Sequence, residues 1–195
     1  MTDLVLIPMF PLSIFPLPGE LVPLHIFEPR YRQLLQDAET RDISFGIYFN
    51  HVSNTNKLGS LVKLESVLKR YSGGESDIVV KCHDLLQLKT LYRTYRDKLY
   101  PGADVHLMEV DTITPVSPAL VERYQQYMQL MNVSAQPKKV SAFHIANELN
   151  MDLETKLKFA NLATEKKETF LSNQLHYHLQ ILEKTEKSRD VFHLN

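Results

Sequence analysis

The sequence predicts an α+β fold in which a β-rich lobe precedes a C-terminal helical bundle. Three observations carry that reading. Residues 6–31, LIPMFPLSIFPLPGELVPLHIFEPRY, hold prolines at positions 8, 11, 16, 18 and 23 among large apolar side chains. A helix cannot hold so many prolines, and an exposed loop seldom carries so much apolar surface, so the segment is extended, buried and bent at fixed places. Up to residue 110 the remaining apolar residues fall in short runs broken by Gly, Pro and Asn, the pattern of strands. Beyond residue 118 they recur at helical spacing. The predicted organisation is a β-rich lobe over 1–110 with one helix at about 29–41, a linker at 111–118, and a helical subdomain of about four helices over 119–195.

Taken in order, Leu4–Met9, Leu21–His25 and Ile43–Phe49 read as strands. Pro29 suits the first turn of a helix, where its missing N–H costs nothing. Tyr31, Leu34, Leu35 and Ala38 then follow at i, i+3, i+4 and i+7 and make one face. The polar stretch His51–Lys57 reads as an exposed loop. Leu58–Val67 alternates in hydropathy. The turn Ser72–Asp77, with Gly73 and Gly74, joins Val67–Tyr71 to Ile78–Cys82 as a hairpin. Leu85–Tyr95 and Val105–Val110 complete the strands. Asp111–Pro118 (DTITPVSP) reads as the linker. Four helical stripes follow: Leu120, Tyr124, Tyr127/Met128 and Met131; Phe143, Ala146 and Leu149; Leu153, Leu157 and Ala160, capped by Asp152; and Leu171, Leu175, His178/Leu179 and Leu182, capped by Thr164. Asn132–Ser141 separates the first two.

Composition bounds the function. The 195 residues are 44% apolar and 23% charged, ordinary values for a globular chain able to bury a core. The formal net charge is -1 and neither half is a basic block, so nucleic acid is an unlikely partner on charge alone. One cysteine, Cys82, rules out an internal disulfide and fits a reducing compartment. The opening MTDLVLIPMFP lacks the basic start of a signal peptide, and no apolar run reaches the length that spans a bilayer. These features predict a soluble, cytoplasmic protein with no membrane partner.

Catalytic signatures are missing. The sequence has no phosphate-cradling GxxxxGK[ST], no GxGxxG, no GxSxG elbow, no HExxH and no CxxC. Cys82 and His83 are adjacent in a strand, where side chains point to opposite faces, so Cys82 reads as a buried structural thiol. His176 and His178 lie about 200° apart on a helix and cannot share one ion. His25, His51, His83, His106, His144 and His193 are scattered along the chain. Asp152 and Glu154 fit a helix N-terminus better than an acid pair. Lys89–Tyr100, KTLYRTYRDKLY, interleaves Lys89, Arg93, Arg96 and Lys98 with Tyr92, Tyr95 and Tyr100. Such a mix stacks on single-stranded nucleic acid in some proteins, and in others it is a solvated strand and turn. The sequence assigns no catalytic, cofactor-binding or metal-ligating residue and no cofactor, and it assigns no binding residue.

The opening motif resembles the N-terminal domain of the Lon protease family, in particular its free-standing bacterial form. The matching parts are Met9-Phe-Pro-Leu12, Leu17-Pro-Gly-Glu20, Val22-Pro-Leu-His-Ile-Phe-Glu-Pro-Arg-Tyr31 and Phe45-Gly-Ile47. Weaker matches are Gly59 with Leu61 and Val62, and Tyr100–Val105 before Glu109. The resemblance implies a PUA-like barrel followed by a helical subdomain. It also implies a domain that binds unfolded or tagged polypeptides, with ATPase and Ser-Lys peptidase lying in domains this sequence does not match. One departure falls on Val80–Leu88, where Cys82 stands in the family's Gly place and Leu85-Leu86 in its Arg-Phe place.

The expected function is therefore a non-enzymatic protein- or peptide-binding module. Apolar side chains, in a cleft between lobe and bundle, would grip extended peptide, and an AAA+ protease or chaperone would be a partner. The alternative is an RNA-binding PUA-like protein. A small hydrolase or transferase ranks third, since no nucleophile lies beside a base. The helix Pro29–Arg41 and the loop His51–Lys57 are the places the sequence offers for probing.

Overall fold

The structure is a computed structural model and describes residues 3–133 and 139–192. His193 and the middle of the Asn132–Ser141 connection lie outside the described residues. The architecture is α+β. In order the elements are β1 Leu4–Pro11, β2 Leu21–Ile26, α1 Pro29–Arg41, β3 Phe45–Tyr48, β4 Leu58–Arg70, β5 Ser76–Tyr92 and β6 Gly102–Leu107. The helices α2 Pro118–Leu130, α3 Ala142–Glu148, α4 Leu153–Ala160 and α5 Thr164–Phe192 follow.

Two compact units form. The first is Met1–Asp111 with Asp152–Leu157, and the second is Thr112–Met151 with Lys158–Asn195. The division is thus not a single cut, because the first turns of α4 belong to the strand-rich unit. Lys156 Nζ reaches both carboxylate oxygens of Glu20 at 2.8 Å, and Ser53 Oγ donates to Glu154 Oε1 at 3.0 Å. Asp152 caps α4 by accepting from the Thr155 N–H at 2.8 Å.

In the first unit the strand order is β2-β5-β4-β3-β1-β6, and β5 also pairs with β6. Five strands therefore close into a barrel, and β2 lies outside the ring against the start of β5. The 17 residues of β5 make this possible. Its first half pairs with β2, its second half with β6, and β4 runs along most of it. Register shifts at Leu61/Val62, Leu64/Ser66, Val67/Lys69 and Leu88/Thr90 bend these long strands enough to coil. Ile78–Cys82 and Leu85–Tyr92 are thus one strand rather than two. The hairpin tip closes at Gly74, which takes a φ of 91° that suits glycine.

Two predicted strands end early. Residues 93–95 leave β5, and the chain turns through Arg96 at φ 54°. After Leu107 the chain turns through Glu109 at φ 49°, where Asp84 accepts from the N–H groups of Glu109 and Val110 at 2.9 and 3.0 Å.

The proline-rich opening is held by backbone contacts on the barrel. Met9 N donates to Pro101 O, Leu12 N to Tyr48 O, Gly19 N to Cys82 O, and Ser60 Oγ to Pro16 O. Two apolar clusters fill the unit. One packs Tyr31, Leu34, Leu35 and Ala38 of α1 onto Phe10, Ile26, Phe45, Ile47, Val62, Ile78 and Val80. The other packs Ile7, Met9, Tyr48, Leu86, Leu88, Ala103 and Val105 together. Gly59 is demanded by close approach, since a Cβ there would meet Ile47 O at 2.7 Å.

In the second unit Leu120, Tyr124, Tyr127 and Met128 are the buried face of α2. Met131 falls just past its end and is exposed, because the helix stops one residue short of that stripe. Ser141 caps α3 by accepting from His144 N. Phe159 packs against Phe143 and Phe170 at centroid distances of 5.4 and 5.8 Å, an aromatic core that the stripes alone did not include. Leu171 and Leu175 of α5 are fully buried. The last helix begins at Thr164 itself, so Ala163 stands in the cap position.

Candidate functional site

The sheet formed by β2, β5 and β4 has an apolar inner face and an outer face on which exposed apolar side chains stand among charged ones. Directly paired residues share a face. On the inner face, Ile26, Ile78, Val80 and Val62 are buried under α1, with Val22, Leu24, Leu64 and Val67 packed at the margin. On the outer face the rows run Leu21 beside Lys81 and Lys63, Pro23 beside Val79 and Ser66, and His25 beside Asp77 and Lys69. Half-buried sheets normally turn polar residues outward. Here Leu21 is 55% exposed, Leu68 at the β4 bulge 64%, and Phe27 just past β2 57%. Pro23 lacks an N–H and sits on an edge strand, where it costs no ladder bond and blunts strand addition.

An ordered polar group sits among these side chains. His25 Nδ1 lies 2.6 Å from Asp77 Oδ1, and Tyr71 Oη donates to Asp77 Oδ2 at 2.6 Å. The His25 ring stacks on Phe27 at 6.0 Å and meets the Tyr71 ring edge-on at 5.9 Å. The Lys69 ammonium stands 4.5 Å from the Tyr71 ring centre. The hydrogen bond from Tyr71, then that from His25, holds the Asp77 carboxyl below its ordinary range, and the same bond pushes the Tyr71 phenol up. Arg32 of α1 fastens the neighbouring backbone. Its Nε donates to Phe27 O at 2.8 Å, Nη1 to Gly73 O at 2.8 Å and Nη2 to Glu75 at 3.2 Å. Glu28 and Arg30 pair at 2.8 Å beside it.

The motif residues therefore divide. Phe10, Phe15, Leu17, Ile26 and Tyr31 are core, whereas Leu21, His25 and Phe27 face solvent. The sequence carried one signal of this. The strand LVPLHI is apolar at outward positions 21 and 23 although β2 has one strand neighbour.

Several of the other singled-out residues make internal contacts. Cys82 is buried, its Sγ is 3.4 Å from Pro16 O, and burial pushes its thiol far up, the opposite of a nucleophile. Leu85 and Leu86, at the departure from the family pattern, are also buried. No group of three or more His, Cys, Asp or Glu among the described residues is placed to hold a metal ion. Asn54 is buried inside the His51–Lys57 loop, where it donates to Leu58 O and accepts from Leu58 N, both at 2.8 Å. That loop precedes β4, at the opposite end of the strand from Leu68 and Tyr71. In Lys89–Tyr100, Tyr92 donates to Asp104 at 2.5 Å, and Tyr95 stacks on the buried Tyr100 at 5.8 Å. Tyr100 Oη donates to Asp37 at 2.7 Å and Lys98 pairs with Asp37 at 3.0 Å. Among the described residues no helix is long and apolar enough to cross a membrane.

The first unit is a five-stranded barrel with one helix packed on its sheet, and the second unit is helical. The chain belongs to the family of the ATP-dependent protease La (LON) substrate-binding domain, whose family model matches residues 6–189. No curated protein sequence matches it. Among solved structures it is similar to the Lon N-terminal domain protein from Xanthomonas campestris, at 18% identity and a TM-score of 0.63, over 81% of this chain and 90% of that one. It also aligns with the N-terminal domain of Mycobacterium avium complex Lon protease, at 17% identity and a TM-score of 0.48, over 91% of this chain and 96% of that one. At the Xanthomonas identity the likeness is one of fold.

Proposed function

We propose that the chain is a non-enzymatic module that holds apolar segments of unfolded or tagged polypeptides on the outer face of β2, β5 and β4. The carrying observation is Phe27 standing exposed against the fastened His25–Asp77–Tyr71 group, with Leu21 exposed on the same strand and Leu68 exposed on β4. Exposed apolar surface on a sheet is a recognition feature rather than a folding requirement. The family description, a substrate-binding domain of a protease, supports polypeptide as the bound class. Side chains carry the recognition, because Pro23 interrupts the donors that strand addition would use. Delivery to an AAA+ protease or chaperone, in the cytoplasm, belongs to the same reading. RNA binding is less supported. Tyr92, Tyr100 and Lys98 are engaged in internal hydrogen bonds, and the net charge is -1.

The test is fluorescence anisotropy with a labelled peptide, acetyl-Ser-Phe-Leu-Gln-Leu-Phe-Ser-amide, which has no titratable group. Wild type binds, and a Leu21→Ser, Phe27→Ser, Leu68→Ser triple variant weakens binding about tenfold or more. Equal binding by the triple variant overturns the reading. Salt-dependent binding of single-stranded RNA, with none of the peptide, favours the alternative.

A further inference from the structure

We infer that the outer face is pH-sensitive, and that protonation of His25 weakens its hold on apolar polypeptide. The inference rests on the binding reading above. His25 is part of the apolar surface and not a neighbour of it, since its ring stacks on Phe27 and abuts Tyr71. Asp77 has both oxygens occupied, one by His25 and one by Tyr71. With that carboxylate ionised, Nδ1 carries the imidazole proton and donates it to Asp77, and Nε2 is left as an acceptor. The side-chain hydrogen bonds that hold Asp77 below its ordinary range keep this tautomer in place through mildly acidic pH.

Charged and titratable groups stand on each neighbouring element, and of these Asp77 and Tyr71 touch the ring. Asp77 lies on β5, Lys69 and Tyr71 at the end of β4, Glu75 in the hairpin turn, and Arg32 on α1. All five are already engaged. Asp77 is held by Tyr71, Arg32 by Glu75, and Lys69 sits on the Tyr71 ring. Among the described residues none of these groups bonds Nε2. An apolar segment laid over a neutral ring buries an aromatic surface. Laid over an imidazolium, it strips water from a charged group, which costs more than covering the neutral ring. In the uncovered protein the imidazolium keeps water on Nε2, the Asp77 contact on Nδ1 and the Phe27 face beside it. Protonation therefore favours the uncovered state, and binding and proton uptake oppose each other by linkage.

The experiment repeats the blocked-peptide titration at pH 8.0 and pH 5.5 with wild type, His25→Phe and Phe27→Ser. Circular dichroism at both values confirms that each variant is folded. Wild-type affinity falls about fivefold or more at pH 5.5. His25→Phe, which keeps a ring but cannot take a proton, binds equally at both. PH-independent wild-type binding, or an unchanged ratio in His25→Phe, overturns the inference and leaves the binding reading standing. Failure of wild type to bind at either pH, or full binding by Phe27→Ser, overturns the binding reading itself.

Discussion

The two faces of one sheet differ in composition and in cover. The inner face of β2, β5 and β4 contributes Ile26, Ile78, Val80 and Val62, and the helix α1 seals them with Tyr31, Leu34, Leu35 and Ala38. The outer face carries Leu21, Pro23 and Val79 among Lys63, Ser66, Lys69, Asp77 and Lys81, with Phe27 at its end, and Leu21 and Phe27 are exposed. Apolar side chains on the first face lose water on folding and stabilise the unit by roughly 25 cal/mol per Å² buried. The same side chains on the second face contribute little to stability. Apolarity by itself therefore does not distinguish buried from exposed positions, whereas cover does.

The largest expected effect tests the sealed face. Leu34→Ala on α1 empties a fully packed position and costs about 2–5 kcal/mol in urea denaturation. Leu68→Ala on the open face changes stability by about 0.5 kcal/mol or less. Similar losses for the two would erase the distinction between the faces.

A second effect tests how α1 is clamped over the sealed face. Asp37 accepts from Tyr100 and pairs with Lys98, and Arg41 stands 3.5 Å away. Burial alone would raise its carboxyl, but the hydrogen bonds from Tyr100 and Lys98 and the nearby positive charges outweigh it and hold it below the ordinary range. A depressed folded value stabilises the fold above the unfolded value, near 3.9, and that stability is lost as pH falls through the folded value. Asp37→Asn therefore costs about 2 kcal/mol at pH 7, and the gap to wild type closes at the acid end. A gap that stays constant from pH 7 to pH 2 would show that the carboxylate charge is not what holds the clamp.

On the open face the effects leave stability and move to recognition. Phe27→Ser shifts the urea midpoint by no more than the equivalent of about 0.5 kcal/mol, yet it weakens peptide binding severalfold. A large loss of stability would instead make Phe27 a core residue. The smallest effect is local. Tyr71→Phe removes the main hydrogen bond that lowers Asp77, so the Asp77 carboxyl titrates at a higher pH when followed by NMR. An unmoved titration would mean that the carboxylate is held by His25 alone.

Much of the fold was legible in the sequence, because its signals are local. The spacing Tyr31, Leu34, Leu35, Ala38 makes a helical face whatever it packs against, and Pro29 marks where it begins. Gly73 and Gly74 make a hairpin turn between two apolar runs wherever those runs lie. The ends of β5 and β6 were less legible, since they depend on left-handed turns at Arg96 and Glu109 and, at Glu109, on a carboxylate 25 residues away in Asp84. The open face was not legible. The motif that carries the family resemblance mixes core residues with exposed ones at alternating positions, and hydropathy is high at both.

By itself the sequence determined the strands, the helices, their order and the family to which they belong. Each follows from periodicity, proline geometry and turn chemistry acting over a few residues. Only the tertiary structure decided which apolar residues are spent on folding. That choice depends on β5 pairing with β2 at one end and β6 at the other, and on α1 lying across one side of the resulting sheet. Hydropathy states which side chains gain by leaving water, and only the packing of distant segments determines which of them are given the chance.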